Sequence, residues 1–170
     1  IVFDRSAAPE PAPAPAPGGE AKAIGIGGQG WELRFDPAWG GPSEPLHLDR
    51  LEAWNANKAP GVRHYSGEAV YRTTFDLSVS NNPLAAEIDL GVVHKMARVK
   101  LNGTELGIAW TPPYRLDCRG ALKHGANEIE ITVVNTWVNR LIGDQQPTDK
   151  AARTLRWENG LLGGKPYPAG

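Results

Sequence analysis

Two stretches carry side chains whose types and spacing could do chemistry. "GIAWTPPYRLD" (107–117) places Trp110, Tyr114 and Arg115 around the consecutive prolines Pro112 and Pro113. Two prolines in a row fix the backbone, so the flanking aromatics are held rigidly at a loop edge. A rigid aromatic loses little entropy on binding, and the C–H face of a sugar stacks on such a ring. The bland alternative is that Trp110 and Tyr114 only close an end of the fold. "NTWVNRLIGD" (135–144) sets Asn139, Arg140 and Asp144 beside Trp137, a mix of amide, guanidinium and carboxylate that suits directional binding of hydroxyls. The same groups can instead tie a long loop to its own scaffold, Arg140 to Asp144 and the asparagines to backbone N–H groups.

Other chemistries find little support. Phosphate-loop, dinucleotide-binding and paired-histidine metalloprotease signatures are absent from the sequence. "GIGGQG" (25–30) precedes a strand pattern, where a nucleotide cradle would precede a helix, so it reads as a flexible lead-in. His47, His64, His94 and His124 are scattered, and His94 reads as a residue at the start of a strand. Glycoside hydrolysis needs two carboxyl groups about 5–9 Å apart, one with a raised pKa. Asp117, Asp144 and Glu158 lie near aromatic or basic residues, but none sits in a distinguishing local motif. No cofactor is expected. A structural calcium ion at an acidic loop stays open, with no ligand set that the spacing identifies.

The elements that must position these residues read as strands. "WELRF", "EAVYRTTFDL", "ARVKL" and "EIEITVV" alternate apolar and polar side chains with period two, the signature of a half-buried strand. Asn102-Gly103 is the dipeptide best suited to a type I′ hairpin. Helical patterning is limited to "LDRLEAWNA", which predicts one or two turns plugging an end of the core, and to a weaker run, "KAARTLRW". The reading is all-β, an antiparallel β-sandwich or jelly roll of about eight short strands.

A chain of 170 residues holds one ordinary domain and a short appendage. Residues 1–8 read as the tail of a preceding segment, 9–22 as an Ala/Pro-rich linker, and 23–170 as the sandwich. Alternating Ala-Pro favours polyproline II at about 3.1 Å per residue, a stiff spacer. A net charge of −1 and the lack of a basic cluster argue against a nucleic-acid partner. No apolar run approaches the ~20 residues that span a bilayer, and the start lacks a signal-peptide pattern. Cys118 stands alone, in an alternating run that reads as a small buried side chain. Six Trp against three Phe suit a half-wet surface.

"YSGEAVYRTTFDL", "IDLGVVHKMARVKLNGTELGIAWTPPYRLD" and "NEIEITVVNTWVNRLIGD" together resemble the galactose-binding-like β-sandwich of family 2 glycoside hydrolases. The likeness is greatest to the C-terminal sandwich of family 106 α-L-rhamnosidases, and it covers roughly residues 31–163. The resemblance implies a two-sheet jelly roll joined to a separate catalytic domain and described as sugar-binding. It places "NTWVNRLIGD" in the loop after a late strand, and the catalytic carboxylates in another domain. It also implies that the isolated chain is not an enzyme, that it is monomeric, and that it is secreted or periplasmic. Its partner would be a glycan or the catalytic domain of the same polypeptide. One departure is the ending "GLLGGKPYPAG", whose glycines and prolines do not easily continue a central strand. Two roles follow: an accessory sandwich supporting a glycoside hydrolase, or an autonomous carbohydrate-binding module tethered to polysaccharide.

Overall fold

The computed structural model describes residues 24–59, 61–77 and 86–144. The expected tail and linker, the run "KAARTLRW" and the ending "GLLGGKPYPAG" lie outside the described residues. Eight strands and one helix are described: β1 (Trp31–Phe35), β2 (Leu46–Leu48), β3 (Glu68–Leu77), β4 (Glu87–Asp89), β5 (Met96–Leu101), β6 (Thr104–Ala109), β7 (Arg115–Asp117), β8 (Gly125–Val134) and α1 (Val138–Asp144). Six strands form one antiparallel sheet in the order β2-β1-β3-β8-β5-β6, and β4 and β7 pair as a second layer. The all-β antiparallel expectation holds.

The period-two faces decide what packs inward. Trp31, Leu33 and Phe35 of β1 are buried, as are Ala69, Tyr71 and Thr73 of β3, Ala97, Val99 and Leu101 of β5, and Ile129 and Ile131 of β8. With ten paired residues, β3 and β8 form the spine of the sheet. A one-residue slip there would turn every one of these side chains to water, so the apolar pattern itself fixes the register. Cys118 is buried at 3% exposure, and burial pushes its thiol pKa up, which suits the packing role.

The outward face carries charge in register. Glu32 lies opposite Arg72, Arg72 opposite Glu130, Glu130 opposite Lys100, and Lys100 opposite Glu105. Signs therefore alternate across five strands. Arg72 donates from Nε and Nη2 to Glu130 Oε2 at 2.9 and 2.7 Å, and Lys100 Nζ reaches Glu130 Oε1 at 3.2 Å. Opposite charges directly across a strand pair stabilise it modestly and keep that part of the face hydrated.

Asn102 and Gly103 have φ of 52° and 81°, and Leu101 pairs with Thr104, so the two-residue hairpin expected from the sequence is present. Gly27 is more than a flexible lead-in. Its φ is 97°, and a Cβ there would stand 2.2 Å from the Trp31 indole nitrogen, so the turn closed by Gly30 N–H to Gly27 O needs a glycine at 27.

Three local expectations need correction. "LDRLEAWNA" does form one turn, a 3₁₀ turn at Trp54–Ala56 whose Trp54 packs against the core, but Leu48 ends β2 and Leu51 is exposed. Leu48 pairs with Trp31 in the sheet, so strand pairing overrides the three-residue spacing. Residues 138–144 form α1 where a loop was expected, and Leu141 N–H donates to Trp137 O at 3.0 Å. His94 lies just ahead of β5, which begins at Met96.

Candidate functional site: an aromatic rim at one end of the sheet

The antiparallel register gathers several connections at one end of the sheet. Phe35 pairs with Ala69, Ala69 with Val133, Val133 with Ala97, and Ala97 with Ala109. Whatever follows β1, β8 and β6, and whatever precedes β3 and β5, therefore emerges on one rim. Trp39 follows β1, Trp137 follows β8 and Trp110 follows β6. All three are exposed, at 43%, 52% and 69%. Four strand intervals separate β1 from β6, so the rim is about 19 Å wide.

Each side of the rim is built differently. Asp36 caps a 3₁₀ turn at Pro37–Trp39 by accepting from Ala38 N–H at 2.9 Å, with proline at the first position of the turn. That short turn lifts Trp39 out of the sheet. Its ring meets Trp137 edge to face, with centroids 5.6 Å apart and planes at 84°. Such pairs contribute about 0.5–1.5 kcal/mol beyond burial.

Below the indoles lies a hydrogen-bonded frame. Arg140 is 4% exposed; its Nη1 donates to Trp39 O at 3.2 Å, and its backbone N–H donates to Ser66 Oγ at 2.9 Å. Asn135 accepts from Gly67 N–H at 2.9 Å and donates to Tyr65 O at 2.8 Å. The side chain thereby mimics a strand and clamps residues 65–67 to the end of β8. Tyr65 donates to Glu68 O at 2.8 Å and receives Asp36 N–H at 3.2 Å, while its ring packs on Phe35 at 4.7 Å and Trp54 at 5.7 Å. Burial raises the Tyr65 and Tyr71 pKa values, which keeps both phenols neutral hydrogen-bonding groups.

The residues singled out from sequence divide. Trp137 is on the exposed pair, and Arg140 is the buried brace beneath it. Asn139 is half-buried on α1. Asp144 ends α1, and its side chain lies outside the described ones, as does the expected Arg140–Asp144 tie. Trp110 stands exposed on the β6 side, whereas Tyr114 is half-buried against the core with its carbonyl accepting from Leu90 N–H at 2.9 Å. Those two aromatics do not form one exposed platform. Arg115 is engaged across the small sheet, Nε to Asp89 Oδ2 at 2.9 Å.

Sequence reasoning missed Trp39 and Ser66; a tie of the asparagines to backbone N–H groups was expected, and Asn135 makes one to Gly67 N–H, a partner the sequence did not name. "DPAW" holds a legible cap for Trp39, an Asp followed by Pro. Ser66 and Asn135 meet their partners 68 to 74 residues away, which no local pattern displays.

Electrostatically, the displaced carboxyls move down. Arg119 hydrogen bonds hold Asp117 at about 2, and the Gly91 amide together with Arg115 lowers Asp89. Glu32 is lowered by Arg34, and Glu130 by Arg72 and Lys100. Among the described residues, no group of three or more His, Cys, Asp or Glu side chains could hold a metal ion. No helix among them is long and apolar enough to cross a membrane.

No family model matches the chain. A putative β-glucuronidase of Formosa agariphila is 43% identical over 105 residues, which are 59% of this chain and 9% of that protein. The rhamnosidase from Novosphingobium sp. PP1Y superposes with a TM-score of 0.69 at 38% identity, over 77% of this chain and 12% of that one. A Ruminococcus gnavus β-glucuronidase matches with a TM-score of 0.53 at 21% identity, over 62% of this chain and 20% of that one, a likeness of fold alone. The chain is thus a domain related to part of glycoside hydrolases, spanning 9% to 12% of the length of the first two relatives.

Proposed function

We propose that this chain is a non-catalytic accessory β-sandwich of an exported, rhamnosidase-like glycoside hydrolase, and that the aromatic rim seats it against the rest of that enzyme. The rim carries the reading. Three tryptophans are exposed on about 19 Å of sheet end, and Val138, next to Trp137, is exposed at 58%. Exposing such residues is unfavourable in water, and Trp is enriched among the anchors of protein interfaces. A buried arginine spent on holding a Trp-bearing turn makes sense when that Trp must be presented in a fixed place.

The ionised carboxylates fit the non-catalytic part of the reading. A general acid in glycoside hydrolysis needs its pKa raised by an apolar setting, whereas Asp89, Asp117, Glu32 and Glu130 are all held down by arginine, lysine or amide donors. Incubating the purified chain with aryl α-L-rhamnoside and aryl β-glucuronide tests this directly. No turnover above the uncatalysed rate is expected, and turnover that survives repeated purification would contradict the proposal.

A further inference from the structure

At the end of the sheet opposite the rim, the hairpin between β5 and β6 is made of Asn102-Gly103, a pair that can react with itself. The side-chain carbonyl carbon of an asparagine is open to attack by the backbone nitrogen of the next residue. Glycine is the least hindered residue for that attack, because it has no Cβ. Gly103 is exposed, and a Cβ there would meet no described atom within 4 Å, so no described neighbour crowds it. A bond from Gly103 N to Asn102 Cγ forms as the Cγ–Nδ2 bond breaks, and Nδ2 leaves as ammonia with the Gly103 amide proton. Water then opens the cyclic imide at either carbonyl, which leaves Asp or iso-Asp at 102. Nothing is oxidised or reduced, and water is the only co-reactant.

The fold opposes the first step. Asn102 Nδ2 donates to Ala121 O and to Asn127 Oδ1 at 2.8 Å each, and its Oδ1 accepts from Glu128 N–H at 3.0 Å. The Asn102 backbone N–H donates to Glu128 O at 2.8 Å, which fixes the main chain of the turn as well. Asn127, the central partner, is buried at 1% exposure. Swinging Cγ toward Gly103 N gives up all three side-chain bonds together. Reaction is therefore confined to molecules in which this end has opened, and its rate follows the open population.

The product cannot rebuild what was opened. A carboxylate at 102 carries acceptors only. One oxygen would keep the bond from Glu128 N–H, but the other would face Ala121 O and Asn127 Oδ1, two further acceptors. Turning the Asn127 amide over gives no relief, since its oxygen would then face Lys123 O and Gly125 O. Iso-Asp inserts an extra main-chain carbon between Leu101 and Thr104, whose pairing spans a two-residue turn. We infer that Asn102 is a latent deamidation site, held shut by the Asn127 network and unable to close again once modified. An opening of the far end thus leaves a permanent chemical mark, and marked molecules open more readily than intact ones. None of this depends on what the rim contacts.

The test incubates the 170-residue chain at mildly alkaline pH and follows deamidation of the Asn102 peptide by mass spectrometry. Peptide mapping separates it from Asn159-Gly160, a second Asn-Gly dipeptide that lies outside the described residues. In the folded chain Asn102 should react at least about tenfold more slowly than in guanidinium chloride. Asn127→Ala, while still folded, should raise the folded-state rate by at least about tenfold. Asn102→Asp, which installs one product directly, should shift the urea midpoint below that of the wild type. If Asn127→Ala does not fold, the guanidinium comparison and Asn102→Asp decide the matter. Equal rates in the folded and unfolded wild type would overturn the inference. So would a folded Asn127→Ala that reacts no faster, or an Asn102→Asp variant as stable as the wild type.

Discussion

The two ends of the large sheet solve the same problem with the same residue type. At the far end, Asn127 is 1% exposed; its Oδ1 accepts from Lys123 N–H and from Asn102 Nδ2 at 2.8 Å each, and its Nδ2 donates to Lys123 O and Gly125 O at 2.7 and 2.8 Å. Asn102 extends the network to Ala121 O and Glu128 N–H. Every one of these contacts ties chain to chain. At the rim, Asn135 clamps residues 65–67 in the same manner, yet the frame continues through Ser66 and Arg140 to Trp39, and ends on two indoles that face water. One closure ends inside the fold, and the other holds apolar surface outside it. Local hydrogen-bond density therefore does not distinguish a structural end from a binding end; what the frame delivers to the surface does.

The contrast breaks most visibly at Asn127. Replacing it with alanine strands several buried donors and acceptors, each costing about 1–3 kcal/mol, so Asn127→Ala should lose about 3 kcal/mol or more. Urea denaturation measures this, and a loss below about 0.5 kcal/mol, the size of an ordinary surface substitution, would mean that the network is not a structural closure.

A smaller effect separates brace from platform at the rim. Arg140→Ala removes a buried hydrogen-bonded side chain and should cost about 1–3 kcal/mol, whereas Trp137→Ala should cost about 1 kcal/mol, the value of the edge-to-face pair. Denaturation midpoints of the two variants give the order. A Trp137 loss exceeding that of Arg140 would make the indole a core element and undo the distinction.

The smallest effect lies outside both ends. Asp117, exposed and bonded to Arg119, titrates at about 2 in place of the ordinary 3.8. A depressed carboxyl adds stability above the unfolded-state pKa and loses it as pH falls from 3.8 toward 2, so Arg119→Ala should slightly flatten the acid limb of the stability profile. Carbon-detected NMR should find the Asp117 pKa moved up toward 3.8 in the variant. Solvent screening keeps the stability change small.

The strand faces were legible from sequence because burial imposes period two on residues such as Ala69, Tyr71 and Thr73, and the Asn102-Gly103 hairpin because both positions need positive φ. Trp137 and Arg140 were legible as a pair of interest but not in their roles. Which of them is buried depends on Ser66 and on a carbonyl 101 residues away. Helix α1 was missed because it has only seven residues, with a glycine, Gly143, next to its end, and no capping pattern precedes it. Tyr114 was placed at a free loop edge, yet it lies against the core, since the short strands β4 and β7 draw its backbone to Leu90.

Hydroxyl-radical footprinting of Trp39 and Trp137, in the isolated domain and in the full-length product of its gene, tests the central claim most directly. The account predicts fast oxidation of both indoles in the isolated domain and severalfold protection in the full-length protein, with Gln29 and His47 remaining accessible. Equal oxidation of both tryptophans in the two samples would contradict it.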